Sequence, residues 1–248
     1  NWFRKFIPKE SRKEIHSKFR QLMKGKEPES YFTNYVLTKN SEKRLIYWHS
    51  STIKDENGNV CGLLSSGEDI TDNEKVQGEL VTHSKNMDFM YNLSRSISNT
   101  SELGELLNKS AKLISAYPGI IGGMIYLFKN NRHLEYPEKV FFGKESRTFR
   151  LRYEKLIDKF HSHKGSKHYS DIQELSYARY GKIQSVQIGS YGMYTRGEPH
   201  GLLCLVNETI DSTKNTFFEH IAIELSRGIK RRKAEIEEQL SEKRFSAI

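Results

Sequence analysis

One segment, residues 42–75, constrains the fold of this 248-residue chain more than any other. Two runs rich in apolar and β-branched residues, 42–55 and 59–70, are separated by a turn that contains Asn57-Gly58. Asn-Gly between two such runs is a strong short-range signal for a β-hairpin. A charged, helix-favouring run follows directly. The sequence therefore predicts a hairpin whose second strand leads without a loop into a helix.

Three residues at this strand-to-helix junction are predicted to fix its geometry. Thr71 and Glu74 have the spacing of a capping box, in which the Thr71 hydroxyl accepts from the Glu74 N–H and the Glu74 carboxylate accepts from the Thr71 N–H. Asp69 precedes them and is placed to hold the strand against the helix. We predict that Asp69, Thr71 and Glu74 form a signal-coupling junction, through which a change in the sheet alters the helix.

The rest of the first 70 residues predicts one helix and one more strand. Residues 9–24 carry apolar side chains at helical spacing, with Ser11 and Glu14 as a further capping box and Gly25 as a stop. A strand is predicted at 30–38. This region is therefore expected to be a helix followed by an antiparallel three-stranded sheet.

Beyond residue 70 the pattern alternates between helices and strands. Helices are predicted at 73–97, at 101–116 with Ser101 as its N-cap, and at 150–161. A strand is predicted at 120–131, and two strands within 182–208 are joined by a tight turn at Arg196-Gly197-Glu198. Apart from the helix at 150–161, residues 132–180 show no clear pattern.

The C-terminal segment predicts one long helix. Its apolar residues form a stripe that is longer than one domain is expected to cover. The members of this linker stripe are Leu225, Ile229, Ile236 and Leu240. We therefore predict that the linker helices pair in a coiled-coil-like, parallel homodimer.

Composition and cysteine usage exclude several classes of protein. No run of eighteen apolar residues is present, so no membrane-spanning helix is expected, and the first residues lack the apolar region of a signal peptide. The two cysteines, Cys61 and Cys204, lie in apolar strands, which suggests small buried thiols in a reducing, cytoplasmic compartment.

The net charge of +9 suggests an alternative function, in which the chain is a nucleic-acid-binding regulator. The densest basic cluster, 227–233, is followed at once by acidic residues. Such mixed-sign blocks are typical of a solvated or coiled-coil helix face. Nucleic-acid binding is therefore the less favoured interpretation.

Nine histidines leave a haem- or metal-binding redox or gas sensor as a further alternative. His161, His163 and His168 lie close enough in sequence to converge on a metal, although a polar loop is the simpler interpretation. Haem ligands could come from three residues: His133, His200 and Cys204. The sequence requires no cofactor, and it indicates no pair of carboxylates that would support a catalytic assignment.

Residues 1–75 resemble the C-terminal half of a PAS domain. The resemblance rests on Trp48 in the penultimate strand, on the turn from Asp55 to Gly58, and on the closing Gly67-x-Asp69-Ile70-Thr71. It implies that the first strands of a PAS fold, which form much of its ligand pocket, would lie before residue 1.

Residues 86–232 resemble a GAF domain. The matching stretches are "NLSRSISNTSELGELLNKSAKLISA", "GGMIYLF" and "QSVQIGSYGMYTRGEPHGLLCLVNE", the last followed by a helix. Residues 228–248 look like a linker helix that runs into a further PAS domain. The resemblance implies the α+β class, with PAS-like and GAF-like domains around central antiparallel sheets and with the helix at 73–97 as the linker between them.

The chain is thus expected to be an internal part of a multi-domain PAS–GAF sensor, most often a sensor histidine kinase of a two-component phosphorelay. The implied function is to couple the state of both domains, through linker helices, to an output domain outside this chain. No stretch resembles a kinase His-box, a Gly-rich ATP-binding segment or a Walker motif, so this chain is not expected to be an enzyme. The expected partners are a second copy, the adjacent PAS and kinase domains and a small-molecule ligand, with no membrane contact.

Overall fold

A computed structural model describes residues 2–25, 29–128, 138–143, 149–163, 169–179 and 182–245. The chain divides into two compact units, Asn1–Ser84 and Lys85–Ile248. Each unit combines helices with one antiparallel sheet, so the fold belongs to the predicted α+β class. Among the described residues, no helix is both long and apolar enough to cross a membrane.

The first unit consists of two helices followed by a three-stranded sheet. The elements are α1 (Trp2–Phe6), α2 (Arg12–Met23), β1 (Glu29–Leu37), β2 (Lys43–Lys54) and β3 (Val60–Asp69). The strands are antiparallel in the order β1-β2-β3, as predicted. Ile15 and Leu22 are the buried residues of α2, and this helix packs on β1 and β3.

The predicted hairpin between β2 and β3 is confirmed. The Asp55 carboxylate accepts hydrogen bonds from the backbone N–H of Asn57, at 3.0 Å, and of Asn59, at 2.8 Å. Gly58 has a φ of +80°, which glycine adopts without steric cost. Gly25, with a φ of +66°, ends α2 in the same left-handed conformation.

The second unit is built around a five-stranded antiparallel sheet. Helix α3 (Thr71–Ser98) contains the boundary between the units, and α4 (Leu103–Ser115) follows it. The sheet has the order β5-β4-β8-β7-β6. Its members are β4 (Ile120–Leu127), β5 (Lys139–Gly143), β6 (Ser170–Arg179), β7 (Lys182–Thr195) and β8 (Glu198–Asn207). Helix α5 (Arg150–Ser162) precedes β6, and α6 (Ser212–Phe245) follows β8.

Both faces of this sheet are covered by apolar clusters. On one face, residues of α4, α6 and the C-terminal half of α3 pack on Ile125, Leu203 and Leu205. On the other face, Tyr153, Leu156 and Phe160 of α5 pack on alternate strand residues such as Met124 and Cys204. The alternation follows from the two-residue period of a strand.

Two of the predicted helix caps are wrong. A 3₁₀ turn, Lys9–Ser11, precedes α2, so that Ser11 already has helical dihedral angles and its side chain makes no capping hydrogen bond. Ser101 lies before the start of α4, whose N-cap is Glu102 and has no side-chain capping bond. Helix α2 begins directly after Ser11 and lacks only the predicted capping bond, whereas α4 begins one residue later than local spacing indicated.

Candidate functional site

A cavity of about 360 Å³ lies among residues of the helices and sheet of the first unit. Five of its eleven lining residues are aromatic: Trp2, Phe3, Phe19, Phe32 and Trp48. The polar residues along it are Asn34, Ser50 and Ser65, and none of its described lining residues carries a charge. A cavity of this size and composition suits a small, uncharged organic molecule.

Two polar atoms of the cavity-lining residues have no hydrogen-bond partner within the described part of the chain. Asn34 is buried, and its Nδ2 donates to the Tyr35 carbonyl at 2.9 Å, but its Oδ1 is unpaired. The buried Nε1 of Trp48 is also unpaired, whereas the Ser50 and Ser65 hydroxyls bond each other at 2.8 Å. An unpaired buried polar group costs about 1–3 kcal/mol. A ligand with one acceptor and one donor would recover part of that cost.

Trp48 connects the cavity to strand β3. It lies opposite Gly67 in the antiparallel register of β2 and β3. A Cβ atom at position 67 would lie 2.7 Å from Cζ3 of the Trp48 ring and 2.8 Å from Cγ2 of Ile46. Such distances are shorter than van der Waals contact, so the ring rests directly on the backbone of β3.

Asp69, at the end of β3, is bound to the first residue of α3. Its Oδ1 accepts from the Thr71 backbone N–H at 3.0 Å and from the Thr71 hydroxyl at 2.5 Å. The Thr71 Oγ1 accepts from the Leu45 N–H at 2.8 Å, and the Leu45 carbonyl accepts from the Ile70 N–H at 2.9 Å. The Thr71 hydrogen bonds, with a smaller contribution from Arg44, lower the pKa of Asp69. The junction thus joins β2, β3 and α3.

The capping box predicted between Thr71 and Glu74 does not form. Thr71 is the first residue of α3 rather than its cap, and the Glu74 backbone N–H donates to the Ile70 carbonyl at 2.9 Å. The Thr71 hydroxyl is engaged by Asp69 and Leu45, and the Glu74 side chain is exposed. The role of Asp69, Thr71 and Glu74 in signalling remains a prediction.

Comparison with known proteins bears on the first unit. Residues 2–75 match the family model of the PAS fold. The matched range ends a few residues into α3, so the cavity and the junction both lie within this PAS-fold segment. No curated protein matches the chain.

Several solved structures are similar to the chain at low identity. They include the chromophore-binding domain of an unusual bacteriophytochrome from R. palustris, with 10% identity, a TM-score of 0.37, and coverage of 93% of this chain and 81% of that one. A phytochrome photosensory core module from Stigmatella aurantiaca has 12% identity, a TM-score of 0.38, and coverage of 92% and 50%. An RNA-binding light-oxygen-voltage receptor has 9% identity, a TM-score of 0.25, and coverage of 97% and 89%. At TM-scores below 0.5, these similarities support no inference about ligand or activity.

The predicted linker stripe on α6 is covered within the second unit for half of its length. Leu225 and Ile229 are fully buried in the core cluster, so the second unit covers these two residues, and the pairing of the stripe with another helix stays a prediction. Ile236 and Leu240 are half-buried against the same cluster. The reason is that α6 packs on the sheet and beside the C-terminal half of α3, where Gly228 lies against Ile97.

The histidines and the one cysteine that were considered as metal or haem ligands have separate surroundings where the structure describes them. His161 bonds the Tyr126 hydroxyl at 3.0 Å, and His163 bonds the Lys159 carbonyl at 2.8 Å. Cys204 is fully buried, and burial raises the pKa of its thiol. His133 and His168 fall outside the described residues.

Within the described ranges, no group of three His, Cys, Asp or Glu side chains could hold a metal ion. His200 is buried, and burial together with the nearby Lys233 ammonium lowers its pKa. In the PAS-fold segment, Cys61 is exposed rather than buried, because most of β3 is exposed. The two cysteines therefore occupy opposite environments.

The basic cluster at 227–233 is largely matched by acceptors of the second unit. Arg227 pairs with Glu224, and Lys230 lies 3.2 Å from Glu198. Lys233 is buried and donates to the Phe128 carbonyl at 2.9 Å. The Arg232 guanidinium donates to the Ser98 carbonyl and pairs with Glu235. These cations are therefore not arranged as an open array for phosphates.

Proposed function

We propose that this chain is a sensory and signal-relay part of a multi-domain sensor, in which the PAS-fold segment binds a small molecule and passes its state to α3. One observation carries the proposal: contacts run from the cavity to the first residue of the helix. Trp48 lines the cavity and rests on Gly67, which lies two residues before Asp69 on the same strand. Asp69 in turn binds Thr71.

The physical basis of the relay is close packing. A ligand in the cavity restricts the Trp48 ring, and the ring cannot shift toward β3 without moving the Gly67 backbone, because the two are already in contact. A displacement of β3 reaches α3 through the paired hydrogen bonds of Asp69, and Leu45 of β2 holds the same Thr71 hydroxyl. Changes in strand geometry would thereby alter the direction of the first helical turn.

The wider architecture is part of the same proposal. Residues 86–232 would form a GAF-like domain, 73–97 the linker into it, and 228–248 the linker into a further PAS domain. The output would be a histidine kinase carried by the same protein in the cytoplasm, and this chain would perform no catalytic step. The two free thiols, Cys61 and Cys204, support a reducing compartment.

Ligand binding can be tested by tryptophan fluorescence, because both tryptophans of the chain line the cavity, with ring centroids 6.0 Å apart. Benzamide is a suitable probe, since it is planar and uncharged and offers one carbonyl acceptor and one amide donor. We expect a saturable change in emission. Asn34→Leu should weaken binding about tenfold, which corresponds to one hydrogen bond to a buried group. Toluene, which lacks both polar groups, is the matched control.

The relay itself is tested by amide hydrogen exchange at residues 70–74 with and without benzamide. Binding should change exchange at these amides in the natural chain. In Thr71→Val, which removes the hydroxyl bonds to Asp69 and Leu45, benzamide should still bind but the change should be lost. Binding without any change at 70–74 in the natural chain would overturn the relay.

The proposed kinase output has a separate test. In the full-length protein, Thr71→Val should change the rate of histidine autophosphorylation, with Thr82→Val as a control. Thr82 lies further along α3, where its hydroxyl donates to the Gly78 carbonyl of the same helix. Equal rates in both variants and in the natural protein would argue against coupling to a kinase.

A further inference from the structure

A cleft of about 510 Å³ lies within the second unit, between the C-terminal part of α3 and helix α4. Each side contributes four lining residues, and both sets have the spacing i, i+3, i+4 and i+7. Such spacing places side chains along one side of a helix. The lining residues of this basic cleft are Asn92, Arg95, Ser96 and Asn99 on one side and Lys109, Lys112, Leu113 and Ala116 on the other.

The apolar faces of the two helices account for this arrangement. Both helices contribute buried residues to the same core cluster, among them Ile97 of α3 and Ile114 of α4. Ser96 and Leu113 are half-buried beside these core positions, whereas Arg95 is exposed. The apolar residues therefore hold the helices on the sheet, and the polar residues next to them form a cleft that is open to solvent.

The basic cleft carries a positive charge that is only partly compensated. Arg95, Lys109 and Lys112 contribute three cations, and none of the described lining residues is acidic. Lys109 pairs with Glu105 at 2.9 Å, one turn earlier on α4. Arg95 and Lys112 have no ion pair within the part of the chain that the structure describes. Unlike the cluster at 227–233, the cleft thus offers two cations to an anion from solution.

We infer that the basic cleft binds a phosphorylated small molecule, whose phosphate oxygens accept hydrogen bonds from Arg95 and Lys112. A guanidinium fork matches two phosphate oxygens, and an ammonium group adds a point charge. Asn92 and Ser96 supply uncharged donors, and the half-buried Leu113 supplies apolar surface for the rest of the ligand. A volume of this size is in the usual range for small-molecule sites.

A nucleic-acid strand fits the basic cleft less well. The span from position i to i+7 is only about 10 Å along a helix, so the cations form one short cluster rather than a track for a backbone. None of the described lining residues is aromatic, so the cleft has no ring on which a base could stack. These features favour a compact anion.

The test is isothermal titration calorimetry of the whole chain with inorganic pyrophosphate at low ionic strength. We expect a dissociation constant on the order of 1 mM or lower. It should rise about tenfold in Arg95→Gln, which removes the fork, and about threefold in Lys112→Gln, which removes a point charge. The matched controls are Arg152→Gln and Lys155→Gln, which remove the same charges from exposed positions on α5 and should leave the dissociation constant unchanged.

An acidic neighbour provides a test in the opposite direction. Glu105→Gln releases the Lys109 ammonium from its ion pair and should tighten pyrophosphate binding about twofold. Glu174→Gln raises the net charge by the same amount at an exposed position on β6, and we expect no change from it. Equal tightening by both variants would show attraction by net charge alone and would overturn the assignment of a site.

Three further results would overturn the inference: no binding below about 10 mM pyrophosphate, equal weakening by Arg95→Gln and Arg152→Gln, or nuclear magnetic resonance shifts that leave the Ser96 and Lys112 amides unchanged. Tighter, Arg95-dependent binding of oligothymidylate than of pyrophosphate would assign the cleft to nucleic acid instead. Circular dichroism checks that the variants keep their helices.

The basic cleft does not rest on the proposed relay. It belongs to the second unit, whereas the aromatic cavity belongs to the first. Benzamide is uncharged, so Arg95→Gln should leave the benzamide-induced change in tryptophan emission intact. Asn34→Leu should in turn leave pyrophosphate binding intact, and the two proposals therefore fail separately.

Discussion

The ring of Trp48 leaves no room for a side chain at Gly67, since a Cβ there would lie 2.7 Å from Cζ3 of the ring. This contact places an aromatic wall of the cavity directly against the strand that ends at Asp69. The relay that we propose depends on this contact. The energetic contribution of the contact can be measured through the stability of the first unit.

We predict that Gly67→Ala destabilises the first unit by about 1–3 kcal/mol, because the added methyl group overpacks the site between Trp48 and Ile46. Gly62→Ala is the control, since the nearest atom to its Cβ would be 3.8 Å away. Guanidinium unfolding followed by tryptophan fluorescence reports on this unit alone, as both tryptophans belong to it. A Gly67→Ala midpoint equal to that of Gly62→Ala would contradict the packing argument.

Asp69 should contribute to stability in a pH-dependent way. Its pKa is lowered in the folded chain, chiefly by the Thr71 hydroxyl, so its contribution is present above the ordinary Asp value of 3.8 and is lost as the pH falls through the lowered pKa. We expect Asp69→Asn to be less stable than the natural chain near neutral pH and to converge with it in acid. Urea midpoints at several pH values test this. A gap that stays constant down to pH 2 would mean that another group is responsible.

Leu225 and Leu240 should respond differently to truncation. Leu225 is fully buried in the core of the second unit, so Leu225→Ala should cost about 2–5 kcal/mol. Leu240 is only half-buried, so Leu240→Ala should cost about 1 kcal/mol or less. Far-ultraviolet circular dichroism during guanidinium unfolding gives both values. If both variants lost an equally small amount of stability, Leu225 would have to be an exposed residue of the linker stripe rather than a core residue.

The two thiols should react with Ellman's reagent at very different rates. Cys61 is exposed, whereas Cys204 is fully buried and burial raises the pKa of its thiol, which removes the reactive thiolate. We expect one fast equivalent per native chain and a second only after unfolding. In Cys61→Ser the fast equivalent should disappear, and in Cys204→Ser it should remain. Rapid reaction of both thiols in the native chain would place Cys204 outside the core.

Local backbone signals were sufficient for most of the fold. Asn57-Gly58 predicted the hairpin, Gly25 the end of α2, and Arg196-Gly197 the turn between β7 and β8, where both residues have positive φ. Each of these signals acts within a few residues, because glycine adopts a left-handed dihedral angle without steric cost wherever the chain turns. Strands β5 and β6 were missed, since they lie in the stretch from 132 to 180 where the alternation is weak.

At the strand-to-helix junction, local spacing predicted the wrong hydrogen bonds. Thr71 and Glu74 had the right spacing for a capping box, yet the Thr71 hydroxyl bonds Asp69 and Leu45 instead. Leu45 is 26 residues away, so its competition for that hydroxyl depends on the pairing of β2 with β3. The cavity also depends on long-range packing, because Trp2, Phe19 and Trp48 line it together only after the helices have packed on the sheet.

The amino-acid sequence by itself determined the strand order of the first sheet and the position at which β3 becomes α3. These two features depend on hydrophobic period and turn chemistry, which are properties of neighbouring residues, whereas the class of fold was implied by the resemblance to PAS and GAF domains. Only the tertiary structure decided which apolar faces are covered. Leu225 and Ile229 have helical spacing like that of Val76 and Leu80, but the first pair is buried in the core and the second is exposed. Periodicity shows that a helix has an apolar side, whereas burial depends on what long-range packing brings against it.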